Sequence, residues 1–525
     1  MSKNGGVCPC FSGAVTPADE GKRNLEDKPA KPVSTVPTNQ VTAPAHQNSM
    51  TNKTEQNKGQ TRGASQKSLT STISAGLAAL WNALEKGDEN RFLDQSAVIE
   101  RVLPTLRAGS KASMDVSLAT SLAVAAGVSI DPTTWGKDMP APDARYSGPH
   151  IRWPLSLANV REVVEHMRTR PEVSVHPRYV AEILSQSVPM FKDQVKTSVY
   201  DMKVPTGQDS KLVVCGDTHG QLEDFLYVLE NNGEPSDRVW YLMNGDIVDR
   251  GPFGSEILIV LLLYKLLYPN AVMINRGNHE NVQINRRRAE DGGGFYDEVM
   301  TKFAETASDQ AIFYMFQQFF ELLPLATLVA NRLFVIHGGL FRHESVGIKD
   351  IRAVNRLRQC PTTTVARDDS IMFDSMWSDP QDNHGVATSH RGANCIRFGP
   401  DVTEKFVRNN NLALVVRSHE LPPSNRGFDC SHNGFLATLF TASDYCCCTG
   451  NTGAVMIVRP DLTYEVREHV AWMKDDEELM NSPVPSGQPI CFAGEEIPGG
   501  GGSGYLGLGP DESAATPPGG ATPSG

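Results

Sequence analysis

The feature that most constrains the fold of this chain is a set of five short apolar runs that are rich in β-branched residues. They are KLVVCG at 211–216, RVWYLMNG at 238–245, AVMINRG at 271–277, RLFVIHGG at 332–339 and LALVVRS at 412–418. The stretches 220–233 and 255–269 between them have the apolar periodicity and the length of helices. This alternation predicts an α/β fold with sheets buried between helices, and the segment 434–470 predicts hairpin strands that close the domain.

Polar side chains follow each of the five runs. They are Asp217 and His219 in GDTHG, Asp246, Asp249 and Arg250 in NGDIVDRG, Arg276, Asn278, His279 and Glu280 in RGNHE, His337 in HGG, and Arg417 and His419 in RSHE. Each residue alone has an ordinary explanation, because an Asp after a strand often caps a helix and a His in an apolar run is usually a core residue. Five such strand ends together indicate a site, because α/β sheets place their sites at the carboxyl ends of strands.

The residue types at these strand ends indicate two divalent metal ions. Asp, Asn and His without cysteine suit Mn, Fe or Zn. We expect Asp217 and His219 to bind one ion, Asn278, His337 and His419 to bind the other, and Asp246 to bridge them. Two ions about 3.5–4 Å apart would activate a bridging water and clamp both ends of an in-line displacement.

The remaining polar residues suit phosphoryl transfer. Arg250 and Arg417, together with Asn278, are the candidate phosphate-binding residues, because guanidinium groups make bidentate contacts to phosphate. His279 is the candidate general acid for the leaving oxygen, and Asp249 is the carboxylate expected to orient it. A site of this kind would act by direct attack of water, without a phosphoenzyme.

GDTHG, GDIVDRG, GNHE, HGG and RSHE, in this order, resemble the motifs of the phosphoprotein phosphatase (PPP) family of serine/threonine phosphatases. The resemblance covers about 151–470 and includes MWSDP at 376–380, RFG at 397–399 and LFTASDYC at 439–446. The preceding segment, which begins YSGPHIRWPLSL at 146, is similar to the lead-in of protein phosphatase 5 and of the EF-hand (retinal-degeneration-C-type) phosphatases.

This resemblance implies a metallophosphoesterase fold: a central β-sandwich flanked by helices, with a dinuclear Mn, Fe or Zn centre at the strand ends. It implies a metal-dependent protein phosphatase that hydrolyses phosphoserine and phosphothreonine by attack of a metal-bridging hydroxide. Its substrates would be phosphoproteins, and Tyr445 would lie on the substrate rim in a mobile loop.

The chain departs from the family pattern in two places. TASDYC replaces the usual SAPNYC, so that Ser443 and Asp444 change the rim. After GNHE, the usual short link to an aromatic YGF becomes NVQINRRRAEDGGGFYDEV, which adds a basic cluster at 286–288 and a Gly-rich loop. A run of charged residues such as 286–288 usually forms a solvated face, and the alternative is that it steers the substrate. Neither a tetratricopeptide repeat nor a D-x-D-x-D-G calcium loop is recognisable.

Two other functions compete with this interpretation. A dinuclear phosphoesterase for nucleotides or small phosphate esters would share GDxHG, GDxxDRG and GNHE, but such enzymes usually lack the WSDP, RFG and ASDYC segments. A non-catalytic scaffold on a phosphatase fold would be expected to have lost a metal ligand, whereas all six ligand positions are occupied by suitable residues.

Composition predicts four regions along the chain. Residues 1–70 are polar and Pro-rich and are predicted to be disordered, and 473–525 form a flexible Gly/Pro-rich tail. Residues 71–145 have helical spacing and predict a small accessory region, and 146–472 form the catalytic domain. The N-terminal region could bind regulatory proteins, but its amphipathic helix is not basic as a calmodulin target would be, so that a packing role is favoured.

The net charge, the apolar stretches and the cysteines indicate which binding partners and which cellular compartment are expected for this chain. A net charge of −12 argues against nucleic-acid binding, and the longest apolar stretch, 257–267, is too short to span a bilayer. The ten cysteines are scattered rather than arranged as a disulfide framework, and no secretory signal is present. We therefore expect a cytoplasmic and also nuclear location. Acylation of Cys8 and Cys10 and a redox role for the cysteines at 446–448 are not favoured.

Overall fold

The computed structural model describes residues 139–304, 309–392, 394–471 and 503–505. The predictions for 1–70, for 71–138 and for the tail apart from 503–505 lie outside the described residues. The boundaries proposed for the four regions therefore remain predictions.

The strands in chain order are β1 Val199–Met202, β2 Lys211–Cys215, β3 Val239–Met243, β4 Val272–Ile274, β5 Ala326–Val329, β6 Leu333–Ile336, β7 Asp379–Pro380, β8 Val386–Thr388, β9 Ile396–Phe398, β10 Leu414–Arg417, β11 Phe428–Ser431, β12 Leu436–Leu439, β13 Gly453–Val458, β14 Thr463–His469 and β15 Ser503–Tyr505. The α-helices of the described residues are α1 Leu157–Thr169, α2 Pro177–Gln194, α3 Leu222–Asn232, α4 Gly254–Leu267, α5 Val282–Asn285, α6 Phe295–Phe303, α7 Asp309–Phe320, α8 Ile348–Ala353, α9 Arg367–Trp377 and α10 Pro400–Asn409.

The described strands form two six-stranded sheets and a smaller three-stranded one. The first sheet has the order β1-β5-β6-β10-β12-β11, the second has the order β15-β14-β13-β2-β3-β4, and β7-β9-β8 form the third. β2, β3 and β4 are parallel, and so are β6, β10 and β12. The five predicted runs all form strands, and β13 and β14 form the predicted antiparallel pair. The predicted α/β class is confirmed.

Alternate residues of β6 show how the layers pack. Leu333 and Val335 belong to a buried cluster that also contains the strands of the second sheet, whereas Phe334 and Ile336 belong to a cluster formed with α9 and α10. Since successive side chains of a strand point to opposite faces, the first sheet is covered on both sides. The predicted β-sandwich flanked by helices is therefore present.

The helix α4 is buried on nearly every side, from Gly254 to Lys265. A helix that is apolar all round lies in a protein core or in a membrane. Here α4 packs against α1 and α2, as predicted for the run 257–267. Within the described ranges, no helix is both long and apolar enough to cross a bilayer.

A buried polar network joins the two sheets next to the strand ends. The side-chain amide of Asn244 donates hydrogen bonds to the carbonyl of Ile336 and to Oγ of Ser418, each at 2.9 Å. The amide of Asn275 donates to Oδ1 of Asn244 at 2.9 Å and to the carbonyl of Val335 at 3.0 Å. Buried polar groups need such partners, so this network fixes the ends of β3 and β4 against β6 and β10.

A carboxylate on α6 fixes the beginning of α4. Glu298 accepts hydrogen bonds from the backbone N–H groups of Gly254 at 3.1 Å and Ser255 at 2.8 Å. Lys302 donates to Glu298 at 2.9 Å and also contacts Glu256. Because a helix N-terminus leaves backbone donors unsatisfied and carries positive partial charge, the carboxylate is well placed to stabilise it.

Two features were not predicted from the sequence. Ser503–Tyr505 form β15, which pairs antiparallel with β14, although they lie in the segment predicted to be a flexible tail. Among the described cysteines Cys430 is disulfide-bonded, and the others form no disulfide: Cys215, Cys360, Cys395, Cys446, Cys447 and Cys448.

Replacing Glu298 tests whether this capping carboxylate stabilises the fold. Glu298→Ala should lower the free energy of unfolding by about 2–4 kcal/mol, because buried donors and a buried ammonium lose their acceptor. Urea unfolding followed by circular dichroism measures the change. Glu290→Ala is the control, because Glu290 pairs with Arg288 at the surface, and its loss should change little. Equal effects of the two substitutions would contradict the capping role.

Candidate metal centre

The loops after β2, β3 and β4 of the second sheet and after β6 and β10 of the first meet at one edge of the sandwich. They bring together the six predicted ligands, none of which is more than 7% exposed: Asp217, His219, Asp246, Asn278, His337 and His419. Two overlapping groups have donor atoms within 4.8 Å of one another, namely His219, Asp246 and His279, and Asp246, His337 and His419. Asp246 belongs to both groups.

The backbone of these loops is unusual. His219, Asp246 and His419 have φ angles of 43°, 49° and 72°, in a region that residues with a side chain seldom adopt. Next to them, a Cβ atom at Gly277 would collide with the backbone nitrogen and Oδ1 of Asp246. Such strain persists only where surrounding contacts impose it, and it is common at functional sites.

One half of the cluster contains two carboxylates and an imidazole. The Nδ1 atom of His219 lies 3.0 Å from the carbonyl of Val248 and donates to it, which leaves the lone pair of Nε2 directed at the cluster. Nε2 is 3.5 Å from Oδ2 of Asp246 and 3.9 Å from Oδ2 of Asp217. The Oδ2 atom of Asp217 is buried and accepts no hydrogen bond.

The other half contains two imidazoles, an amide and the shared carboxylate. Nδ1 of His337 donates to the carbonyl of Asn244 at 2.8 Å, so that its Nε2 presents a lone pair. That atom is 2.9 Å from Oδ1 of Asn278, 3.3 Å from Nδ1 of His419 and 3.3 Å from Oδ2 of Asp246. When His337 is neutral, these acceptors converge without a donor from the described residues between them.

Two arrangements would relieve this convergence. Turning the amide of Asn278 would let its NH₂ group donate to Asp246, His337 and His419. Alternatively, a cation could accept all of these lone pairs. The turned amide would still leave Oδ2 of Asp217 without a donor among the described residues, whereas a cation would satisfy it. The carboxylate, amide and imidazole atoms of the site therefore fit divalent metal ions.

The electrostatics of the cluster support the same conclusion. Burial and the nearby charge of Asp246 raise the pKa of Asp217 well above its usual value. Burial lowers the pKa of His219 to about 3, with the charge of His279 adding to the effect. Burial also disfavours a charged His337, but the carboxylates outweigh it and raise its pKa to about 9. Without metal ions, protons on Asp217 and His337 would offset the negative charge of the site, and divalent cations would replace those protons.

His279 lies beside the cluster with one nitrogen directed into it. Its Nδ1 is 2.6 Å from Oδ2 of Asp249, whose other oxygen accepts the backbone N–H of Phe295 at 2.8 Å. Nε2 of His279 is 3.8 Å from Oδ2 of Asp246. Burial lowers the pKa of His279 to about 4 and raises the pKa of Asp249. Asp249 thus holds the imidazole ring of His279 in one orientation.

The two predicted phosphate-binding arginines differ in their surroundings. Arg250 is half-buried, its Nε has no hydrogen-bond partner, and no carboxylate among the described residues forms an ion pair with it. Arg417 is fully buried and donates to the carbonyl of Gly338 at 2.7 Å and to Asp379 at 3.1 Å. Its Nη1 makes no hydrogen bond and lies 3.4 Å from a carboxylate oxygen of Glu420.

Tyr445 lies over the first half of the cluster. Its ring centre is 5.2 Å from that of His219, and the preceding Ser443 donates to Asp224 on α3 at 2.6 Å. Asp224 also lies 3.2 Å from Nε2 of His469. The altered rim residue Ser443 therefore ties the loop of Tyr445 to α3 and to the end of β14.

Sequence reasoning assigned no role to Glu280, the last residue of GNHE. Its carboxylate accepts the backbone N–H groups of Asp246 at 2.8 Å, Ile247 at 2.9 Å and Gly277 at 2.9 Å. It thereby fixes the loop that directs Asp246 into both halves of the cluster. Membership of the motif was the only signal in the sequence that could have indicated this role.

Asp379 of the WSDP segment also received no role. It accepts hydrogen bonds from Arg417 at 3.1 Å and from Arg391 at 2.7 Å, and lies 3.9 Å from Nε2 of His419. Burial alone would raise the pKa of Asp379, but the nearby positive charges, including those of Arg417 and Arg391, outweigh it and lower that pKa below its usual value. Asp379 therefore contacts Arg417, a candidate phosphate-binding residue, and lies close to His419, a candidate metal ligand.

Comparisons with known proteins match the same part of the chain. A family model described as calcineurin-like phosphoesterase matches residues 210–423, which include β2 to β10 and the cluster. The chain is 38% identical over 312 residues to serine/threonine-protein phosphatase T of Trypanosoma brucei brucei, covering 59% of this chain and 61% of that protein. It is 34% identical over 362 residues to the Aspergillus oryzae protein of that name, covering 69% and 68%.

A human relative and a solved structure agree with this match. Human serine/threonine-protein phosphatase 5 is 37% identical over 350 residues, covering 66% of this chain and 63% of that protein. A Saccharomyces cerevisiae serine/threonine phosphatase structure described as similar to human PP5 has a TM-score of 0.51 at 36% identity, covering 57% of this chain and 89% of that one. The chain thus spans less than two thirds of the Trypanosoma and human relatives, and the predicted metallophosphoesterase fold is confirmed.

Replacing Glu280 tests whether it supports the metal ligands. Glu280→Ala should weaken the binding of Mn²⁺ by about 10–100-fold, because partners that orient a ligand contribute that much to metal affinity. Isothermal titration of metal-free protein measures the affinity. Glu290→Ala is again the surface control and should bind Mn²⁺ as the unmodified protein does. Unchanged affinity in Glu280→Ala would show that the loop of Asp246 does not depend on this carboxylate.

Proposed function

This chain belongs to the phosphoprotein phosphatase family of serine/threonine phosphatases, and from that premise we propose that it hydrolyses phosphoserine and phosphothreonine in phosphoproteins. The observation that carries the proposal is the buried set of acceptors around Asp246, with His279 and Arg250 beside it. All six candidate ligands are in place, which argues against the non-catalytic scaffold.

Two divalent ions would occupy the cluster, one in each half. The proposed ligands are Asp217, His219 and Asp246 for the first ion, and Asp246, Asn278, His337 and His419 for the second. When bound, such ions lower the pKa of water and act as Lewis acids towards phosphate oxygens. The donor set favours Mn, Fe or Zn.

Three residues are proposed to bind the phosphate group. Arg250 has a guanidinium group without a carboxylate partner among the described residues, and Arg417 has one N–H group, Nη1, without a hydrogen bond. Asn278 could contact a phosphate oxygen from the floor of the site. Because Asp379 and two backbone carbonyls fix Arg417, little side-chain entropy remains to be lost when phosphate binds.

His279 is proposed to donate a proton to the leaving serine or threonine oxygen. Its Nδ1–H is directed at Asp249, so that the proton donated to substrate would come from Nε2. Because burial lowers the pKa of His279, this role requires the carboxylate of Asp249 and the bound phosphate to stabilise the imidazolium before transfer; Asp249 would also keep the ring oriented. Tyr445, above His219, is proposed to contact the substrate at the rim.

The location and the regulation of the protein are also proposals. The buried thiols of Cys215, Cys360 and Cys395 support a cytoplasmic or nuclear location, whereas the disulfide of Cys430 does not contribute to this support. Regulatory proteins that bind the region before residue 139 would act through a part of the chain outside the described residues.

Substitution of His279 tests its role as general acid. His279→Asn should leave the metal content unchanged and slow the hydrolysis of a phosphoserine peptide by about 10²–10⁴-fold. The loss should be much smaller for p-nitrophenyl phosphate, because its leaving group needs no proton. His384→Asn, at an exposed position, is the control and should retain activity. Near-normal peptide hydrolysis by His279→Asn would exclude the proposed role.

Substitution of Asp246 tests whether it serves both ions. Asp246→Asn should lower the content of both metals, because its carboxylate lies in both halves of the cluster. Asp249→Asn, which removes a neighbouring buried carboxylate outside the proposed ligand set, should retain both ions. Plasma mass spectrometry of purified protein measures the metal content. Two ions per chain in Asp246→Asn would refute the shared position.

A comparison of two substrates can distinguish a phosphoprotein phosphatase from a phosphoesterase that acts on small phosphate esters. The protein loaded with Mn²⁺ should hydrolyse a phosphoserine peptide with a higher kcat/KM than a nucleoside triphosphate. Release of inorganic phosphate measures both reactions under the same conditions. A preference for the nucleotide would support the alternative phosphoesterase and contradict the proposal.

A further inference from the structure

The segment Arg286–Gly294, here called the insert, forms a defined turn beside the candidate centre. Gly292 and Gly294 have φ angles of +86° and +130°, which side chains disfavour. A Cβ atom at Gly293 would collide with the carbonyl oxygen of Arg287 and lie 2.7 Å from that of Ile284. The three glycines are therefore required for the turn, and the insert has a fixed path.

Hydrogen bonds join the insert to the residues proposed to handle the phosphate and the leaving group. The backbone N–H of Arg250 donates to the carbonyl of Gly293 at 3.2 Å, and the N–H of Gly294 donates to the carbonyl of Arg287 at 3.0 Å. Just before the insert, the amide of Asn285 donates to the carbonyl of His279 at 3.0 Å. The backbone of Arg287 thus contacts Gly294, whose neighbour Gly293 contacts Arg250.

The three arginines of the insert have different partners. Arg288 pairs with Glu290 at 3.1 Å on the surface, and the guanidinium of Arg286 lies over the ring of Tyr296 at 5.4 Å. Arg287 is exposed, and the backbone carbonyl of Gln283, at 3.1 Å, is its one hydrogen-bond acceptor in the part of the chain that the structure describes. No carboxylate of that part lies within ion-pair distance of it. Arg287 therefore presents a cation that the described residues do not neutralise.

The insert lies against the side chain of Arg250. A Cβ atom at Gly292 would be 2.8 Å from Nη2 of Arg250, and the backbone of Gly293 and Gly294 connects Arg250 to Arg287. An anionic group bound to Arg287 would therefore lie near a substrate phosphate bound at Arg250. Guanidinium groups bind carboxylate and phosphate in bidentate geometry, and salt would screen such a contact because Arg287 is exposed.

We propose that Arg287 binds a second anionic group on the substrate, a carboxylate or another phosphate that flanks the phosphorylated residue, so that the enzyme prefers acidic phosphopeptides. The inference rests on the proposed phosphatase function and adds its substrate class. Arg287 acts as a specificity residue, because it contacts the flank of the peptide and not the reacting phosphate.

Matched peptides test this preference. The substrates are phosphoserine peptides that differ only in flanking glutamate, phosphoserine, alanine or lysine, together with p-nitrophenyl phosphate, which has no flank. Arg287→Ala should lower kcat/KM for the glutamate and diphosphorylated peptides roughly tenfold, mainly through KM. Its kcat/KM for the alanine peptide and p-nitrophenyl phosphate should stay within about twofold of the unmodified enzyme.

Two further variants separate the role of this one charge from the total charge of the insert. Arg287→Glu should reverse the preference and favour the lysine peptide. Arg288→Ala removes the same charge at the next position, but from a residue already paired with Glu290, and should keep the preference for acidic peptides. Raising the salt concentration should reduce the preference of the unmodified enzyme.

Several outcomes would overturn the inference. One is an equal loss on p-nitrophenyl phosphate and on acidic peptides in Arg287→Ala, which would show a structural role. Another is an unchanged preference for acidic peptides in that variant. If the unmodified enzyme hydrolyses the alanine peptide but shows no acidic preference, the inference fails while the proposed function stands. Hydrolysis of p-nitrophenyl phosphate with no peptide hydrolysed would instead refute the proposed function and, with it, the inference.

Discussion

The candidate site depends on one constraint: among the described residues, a buried cluster of carboxylate, imidazole and amide acceptors has no donor at its centre unless it takes up protons. Asp246 lies in both halves, and the acceptor atoms of His337, His419 and Asn278 are about 3 Å apart. An uncompensated cluster of this kind costs free energy in a buried site. Divalent cations remove that cost, so the site is most stable when it is loaded.

The two sheets are needed because neither contains a complete site. Asp217, Asp246 and Asn278 follow strands of one sheet, whereas His337 and His419 follow strands of the other. The network of Asn244 and Asn275 crosses between the sheets directly behind these ligands. A shift between the sheets would therefore separate the halves of the cluster and break buried hydrogen bonds at the same time.

The sequence was sufficient to predict features that depend on residues close together in the chain. Apolar runs followed by Asp, His or Asn indicated strands that end in ligands, and His279 beside Asn278 indicated an acid next to a metal site. It was not sufficient for roles that depend on distant residues. Glu280 accepts hydrogen bonds from backbone N–H groups more than 30 positions away, and Asp379 accepts one from Arg417. Neither contact produces a periodic pattern in the sequence. The strand at 503–505 lies in a Gly-rich segment without apolar alternation, so that only pairing with β14 defines it.

The central claim is that cations, and not a turned amide, satisfy the buried acceptors. Anomalous X-ray diffraction from crystals grown with Mn²⁺ tests this directly. The account predicts two peaks on either side of Asp246, one in contact with Asp217 and His219, the other with the remaining ligands Asn278, His337 and His419. Well-ordered crystals that contain Mn²⁺ but show no peaks there, with the NH₂ group of Asn278 turned towards the imidazoles, would contradict it.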